Sequence, residues 1–310
     1  MKLTNKPILV TGAHRSGTTW VGKMLAAGGQ TAYISEPLNI LHRPGVLSAA
    51  TRHWYTYICA DNEAVFLPAM RQLLQYRYHT LAELHSLRSL KDLGRMGRDW
   101  STFLRGRMRR LRPLLKDPFA VFSVPWFAGR LDCDVVITVR HPAAFVSSLK
   151  RLEWPFDLKD LLNQPLLMRD WLEPFRAEME RMSRAGEDPV RSNSLLWRMV
   201  YQVVGQLRRD HPQIRIVRHE DLSAQPIEGF KALSAALGLD FSSRVRQAIE
   251  SSSSAENPKE LSRDAVHSVR LDSQANLDNW KRRLTPEEIR SVRTLTEETA
   301  SAYYPDLSWD

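Results

Sequence analysis

The most constraining stretch of this chain is a short apolar run that breaks into a glycine-bounded loop and then into a helix. Pro7-Ile8-Leu9-Val10 reads as a buried strand, followed by Gly12-Ala13-His14-Arg15-Ser16-Gly17-Thr18-Thr19. Trp20, Val21, Met24 and Leu25 then share one helical face, with Gly28-Gly29 as the stop. The G-x-x-x-x-G spacing between strand and helix lets a loop's backbone N–H groups, and the helix start behind them, hold an anion. Thr18 stands where a nucleotide-hydrolysing loop carries lysine, and the cation sits inside the loop at Arg15. The β-branched run Val135-Val136-Ile137-Thr138-Val139 ends in Arg140, and no assigned strand ends in a Mg²⁺-binding aspartate. A phosphate-like group held without metal is therefore expected. His42, His53, His79 and His85 have no metal-ligand spacing either.

The rest of the chain reads as strands alternating with helices. Thr31 to Ser35, Phe119 to Val124, Val135 to Val139 and Ile214 to Val217 are strand candidates. Helices are expected over Ala143 to Arg151, through the Leu195–Leu207 apolar repeat, and over Pro226 to Leu237. Thr285-Pro286-Glu287-Glu288 is a capping box that opens the last helix. Leu41 to Leu115 looks helical without a strong strand, and the serine-rich Ser242 to Glu260 looks like a mobile loop. The expectation is an α/β, P-loop-like three-layer fold: a central parallel sheet flanked by helices, one domain over 1–310, and a helical insertion over about 41–115.

Apolar residues at 43% of 310 support a sizeable core, yet no run is long enough to span a bilayer. Only two cysteines and no signal-like segment at the start fit a cytoplasmic setting. The net charge of +9 points to an anionic partner. Nucleic acid is not expected, for no recognised module accompanies the charge.

Arg15-Ser16-Gly17-Thr18-Thr19-Trp20 resembles the 5′-phosphosulfate loop of sulfotransferases that use 3′-phosphoadenosine 5′-phosphosulfate (PAPS). Val139-Arg140-His141-Pro142 with Ser148 is similar to that family's 3′-phosphate motif. Leu115-Lys116-Asp117-Pro118-Phe119 resembles a segment of the tyrosylprotein branch, and Glu36-Pro37 one of the carbohydrate branch. Arg270, ten residues before Trp280, resembles the segment that closes over the cofactor. The chain departs from small-molecule sulfotransferases at Pro118, where they carry a histidine base, at Ser273-Gln274-Ala275, and at His219, where they carry tyrosine.

The resemblance implies a sulfotransferase of the tyrosylprotein/carbohydrate branch that needs no metal. Sulfuryl transfer, like phosphoryl transfer, is positioning plus charge stabilisation. Glu36 would be the base, with Asp117 as backup, and Arg15 and Lys116 the catalytic cations. Arg15, Ser16, Gly17, Thr18, Thr19, Trp20, Arg140, Ser148 and Arg270 would bind the nucleotide, with Trp20 either on adenine or in the core. The acceptor would be a hydroxyl on a carbohydrate or glycolipid, with peptide tyrosine and small metabolites as alternatives. A P-loop kinase is the competing class, and it would need the missing lysine and carboxylate. Arg95 to Arg112 reads as a basic helix with Trp100, Phe103, Leu104, Met108 and Leu111 on one face. That face either enters the core or, with its arginines, meets an anionic acceptor or an anionic membrane surface.

Overall fold

The computed structural model describes residues 6–184, 188–260, 269–305 and 308–309. Five strands, β1 (Ile8–Gly12), β2 (Thr31–Ser35), β3 (Arg112–Lys116), β4 (Asp134–Val139) and β5 (Arg215–Arg218), form one parallel sheet in the order β2-β3-β1-β4-β5. β1, in the middle, is buried throughout. Its alternating residues separate two apolar layers. Leu9 faces one way with Leu115, Val135, Ile137 and Val139, against helix Pro189–Asp210 and the insertion. Ile8 and Val10 face the other way with Leu114 and Val136, against α1 (Thr18–Ala26) and helices Pro226–Ala236 and Ser243–Ser253. Burial on both faces is what a parallel sheet requires of near-continuous apolar strands.

The insertion between β2 and β3 holds α2 (Glu63–Leu74), α3 (Thr80–Ser86) and α4 (Leu90–Arg109). It ends sooner than the sequence suggests, because Arg112–Lys116 is a central strand. The strand expected at Phe119–Val124 is instead a 3₁₀ turn, Pro118–Ser123, leading into α5 (Val124–Arg130). Proline cannot donate to a ladder but suits the first position of a turn, and the Asp117 side chain caps that turn. The serine-rich segment read as a loop is helical over Ser243–Ser253, capped by Ser242, with Val245, Ile249 and Ser252 buried. α6 (Pro142–Leu152) follows β4, and the capping box at Thr285 and Glu288 is present.

Register fixes what stands at the carboxyl edge. Lys116 closes β3 opposite both Val10 and Ser35, so Glu36, next after β2, arrives beside it. Asp117 then pins the turn. Buried, it accepts hydrogen bonds from Leu38 N at 2.6 Å and Phe119 N at 3.0 Å. Each oxygen accepts one backbone N–H, which makes Asp117 the fastening point of the turn. Asp117→Ala should leave both amides buried and unpaired and cost about 2 to 4 kcal/mol of stability, read from urea denaturation.

Candidate active site

The loop after β1 departs from ordinary backbone at three residues. Gly12, Arg15 and Gly17 have φ of 140°, 68° and 100°. A Cβ at Gly12 would fall 2.4 Å from the Thr138 carbonyl oxygen, and one at Gly17 would fall 2.6 Å from His219 Nδ1. Only glycine serves at either place. Ser16 is buried beneath the loop. Its Oγ donates to the Ala13 carbonyl at 2.5 Å and lies 2.6 Å from Thr138 Oγ1, so it fastens the loop to β4 and does not line the pocket.

Above the loop, Arg15, Gly17, Thr18, Thr19 and Trp20 line one pocket with Arg140 and Ser148. Gly17 caps α1 without any side-chain hydrogen bond, so the amides of the first turn are left for a ligand. Trp20 donates from Nε1 to Ser252 Oγ at 2.9 Å and sits edge-on to His219 and Phe230. It is therefore core on one side and pocket wall on the other.

Arg15 reaches across to α6, donating from Nε to Ser148 Oγ at 3.1 Å. Arg140, next after β4, donates to the Arg15 carbonyl at 3.1 Å. Two further arginines line the same space, Arg151 on α6 and Arg283 near the chain's end. Neither belongs to a motif of the sequence. The available signal was spacing: Arg151 lies three residues after Ser148 on one helix face, and Arg283 lies three after Trp280. Burial and the three neighbouring guanidiniums lower Arg15 to about 10. Burial likewise lowers Arg140 and Arg283.

Two carboxylates answer this charge. Glu260 lines the pocket 2.6 Å from Arg283 and 3.8 Å from Arg151. Glu220, behind Arg140, accepts from His141 N at 2.9 Å and Tyr304 OH at 2.7 Å. Arg140 Nε and His219 Nδ1 are buried with no hydrogen-bond partner among the described residues. Such atoms, facing a cationic pocket, suit a ligand with an anionic group and further polar atoms.

Glu36 and Lys116 form a second cluster. They are ion-paired, Lys116 is fully buried, and Asn39 donates to Glu36 Oε2 at 2.8 Å. Neither lines the pocket just described. His14 connects the two halves, since its titration feels both Arg15 and Glu36; burial is the larger cause and lowers it to about 4. Its Nδ1 lies 2.7 Å from the Tyr55 hydroxyl. Arg270 is exposed and is not among the pocket-lining residues, although Val269 and Leu271 beside it are. Trp280, paired with it in the sequence reading, stacks on His141 at 5.1 Å.

A profile of the Sulfotransferase family matches residues 7–243. None of the curated proteins matches the chain by sequence. Among solved structures, the sulfotransferase domain from the curacin biosynthetic pathway superposes with a TM-score of 0.55 at 16% identity, covering 98% of this chain and 99% of that one. The sulfotransferase domain of the Synechococcus PCC 7002 olefin synthase gives 0.47 at 17% identity, covering 97% and 96%. A mouse sulfotransferase complexed with PAP gives 0.42 at 13%, covering 95% and 84%.

Two buried histidines, His219 in the pocket wall and His141 next after Arg140, carry a pH dependence. Burial lowers His141 to about 4 and His219 to about 3. Both values lie below the ordinary 6.5, so the unfolded chain takes up protons first as the pH falls. Stability is therefore lost below 6.5, at about 1.4 kcal/mol per pH unit for each residue. His141 also caps α6, its Nδ1 accepting from Ala143 N at 3.2 Å. His141→Asn keeps a cap acceptor and should remove the His141 share, roughly half, of the fall in urea-denaturation stability between pH 6.5 and about 4.

Proposed function

Because the chain belongs to the sulfotransferase family and is an enzyme of the sulfuryl-transferring class, we propose that its donor is PAPS and that its acceptor is a hydroxyl on a carbohydrate or glycolipid. One observation carries the donor reading: four guanidiniums, Arg15, Arg140, Arg151 and Arg283, converge on the uncapped start of α1. No lysine follows Gly17 to serve a nucleoside triphosphate.

When bound, the donor supplies an electrophilic sulfuryl group attached to a phosphate that leaves. Arg15 and the first-turn amides of α1 hold the phosphosulfate end, while Arg140, Ser148, Arg151 and Arg283 hold the second phosphate. Glu260 yields its place among those arginines. His219 Nδ1 and the ring of Trp20 offer polar and aromatic contacts to the base. Lys116, at the end of β3, and Arg15 stabilise charge on the departing oxygen. Glu36 takes the proton of the acceptor hydroxyl. Its pairing with Lys116 links the two tasks, because a proton arriving on Glu36 frees the lysine's charge for the leaving group.

The Glu-Pro segment at Glu36-Pro37 supports the carbohydrate branch. Peptide tyrosine and small metabolites are the alternatives that an acceptor screen with labelled PAPS separates. Thermal denaturation tests the donor class directly. The product 3′-phosphoadenosine 5′-phosphate should raise Tm whether or not EDTA is present, and ATP with Mg²⁺ should not. A magnesium-dependent rise with ATP alone would make this a kinase-like protein. Glu36→Gln should keep the bisphosphate shift and lower kcat by about a thousandfold. Arg140→Ala should lose most of the shift.

A further inference from the structure

α4 is amphipathic in an unusual sense: it has two apolar sides, and only one enters the protein. Met96, Phe103 and Gly106 are its buried residues. Phe103 packs edge-on against Tyr76 and Tyr78, and Gly106 lets the Tyr76 ring lie against the helix. Trp100, Leu104 and Met108, expected on the same face as Phe103, turn outward instead. They are 47%, 40% and 75% exposed, and Leu90 and Leu93 are 87% and 52% exposed. At about 3.6 residues per turn, the steps Leu93–Trp100–Leu104–Met108 stay on one side, and Leu90 falls on the same stripe. The preceding α3, tied to α4 by the Glu83–Arg95 pair, carries exposed Leu81 and Leu84 of its own. A stripe of large apolar side chains facing water along α4 has a partner to meet.

Charge identifies that partner. α4 carries six basic residues and two acids. Both acids are engaged, Asp92 by Arg95 and Asp99 by Arg43. Arg107 borders the apolar stripe on one side, and Lys91, Arg98, Arg105 and Arg109 stand beyond its other side, all exposed. A second copy of the chain, docked by two-fold symmetry, would set these arginines against themselves. An anionic lipid surface accepts both parts at once, taking the Trp/Leu/Met stripe into its interfacial layer and the arginines at its headgroups. We infer that α4 is a membrane-surface anchor that lies flat on an anionic bilayer.

The anchor is wired to the chemistry. Arg43 bonds Asp99 of α4 at 3.0 Å and also donates to the carbonyls of Ser35 and Glu36. From its other end, α4 passes through Arg110 directly into β3 and so to Lys116. Arg43 thus ties the inner side of α4 to the backbone that carries Glu36, the partner of Lys116. This deepens the glycolipid reading above and rests on it for the acceptor alone, since the docking face is defined without reference to catalysis.

Cosedimentation of the full chain with vesicles tests the inference. Vesicles of equal parts phosphatidylglycerol and phosphatidylcholine should carry the protein down, phosphatidylcholine alone should not, and added salt should weaken the binding. The triple substitution Trp100→Ser, Leu104→Ser, Met108→Ser should lower binding by at least about tenfold. It should leave Tm and the bisphosphate-induced shift unchanged, which separates this result from a failure of the sulfotransferase reading. Arg98→Gln with Arg105→Gln and Arg107→Gln should weaken binding to the anionic vesicles. No sedimentation with anionic vesicles, or equal binding by the apolar triple variant, overturns the inference. So does a dimer that forms without vesicles and is lost in that variant, which would assign the stripe to a second copy.

Discussion

The pairing of β1 with β3 on one side and β4 on the other determines where Arg15, Lys116 and Arg140 stand. The register sets Val10 beside Lys116 and Gly12 beside Thr138, two residues before Arg140. The glycine loop therefore emerges between two strand ends that each deliver a positive charge. Parallel strands all present their carboxyl ends to one edge, so a short loop can gather residues from distant parts of the sequence there. The apolar layers on both sides of the sheet hold this edge, and Asp117, Ser16 and Trp197 fasten the backbone that leaves it.

The same geometry collects like charges that repel. Burial and mutual repulsion depress Arg15 and Arg140, yet an arginine even at about 10 remains charged at neutral pH. The fold tolerates them through specific neighbours. Glu220 backs Arg140, and Trp197 Nε1 donates to the Arg140 carbonyl at 2.8 Å, fixing the backbone that carries the guanidinium. Preorganisation of this kind places the electrostatic cost in folding and leaves little rearrangement for the moment of reaction.

Residues legible in the sequence were those whose chemistry depends on local spacing. The loop Gly12 to Gly17, Arg140 and Ser148 stand together as the motif suggests, and the parallel sheet follows from the β-branched run of β4. β3 was hidden because Arg112-Pro113-Leu114-Leu115-Lys116 has no β-branched residue and carries a proline, a poor signature for a central strand. Its place in the sheet comes from pairing with strands on both sides. The helix Ser243–Ser253 was hidden by its serines, which favour loops when their hydroxyls bond water. Here Ser252 and Ser253 both donate to the Ile249 carbonyl, which keeps them compatible with helix. Arg151 and Arg283 belong to the pocket only through tertiary contact, and the outward turn of Trp100 depends on which side of α4 the tyrosines claim. Helical period groups apolar residues without saying which group faces inward.

Glu260 gives the pocket a further property. Its carboxylate sits among the arginines, paired with Arg283 and near Arg151, where it partly neutralises them. An anion entering this pocket does not fill an empty field; it trades places with a tethered one. The gain in such an exchange is the difference between two sets of ion pairs, so a doubly charged group that touches several guanidiniums prevails where a single carboxylate or chloride gains almost nothing. A carboxylate so placed sets a threshold of charge that the monovalent ions crowding any solution do not reach.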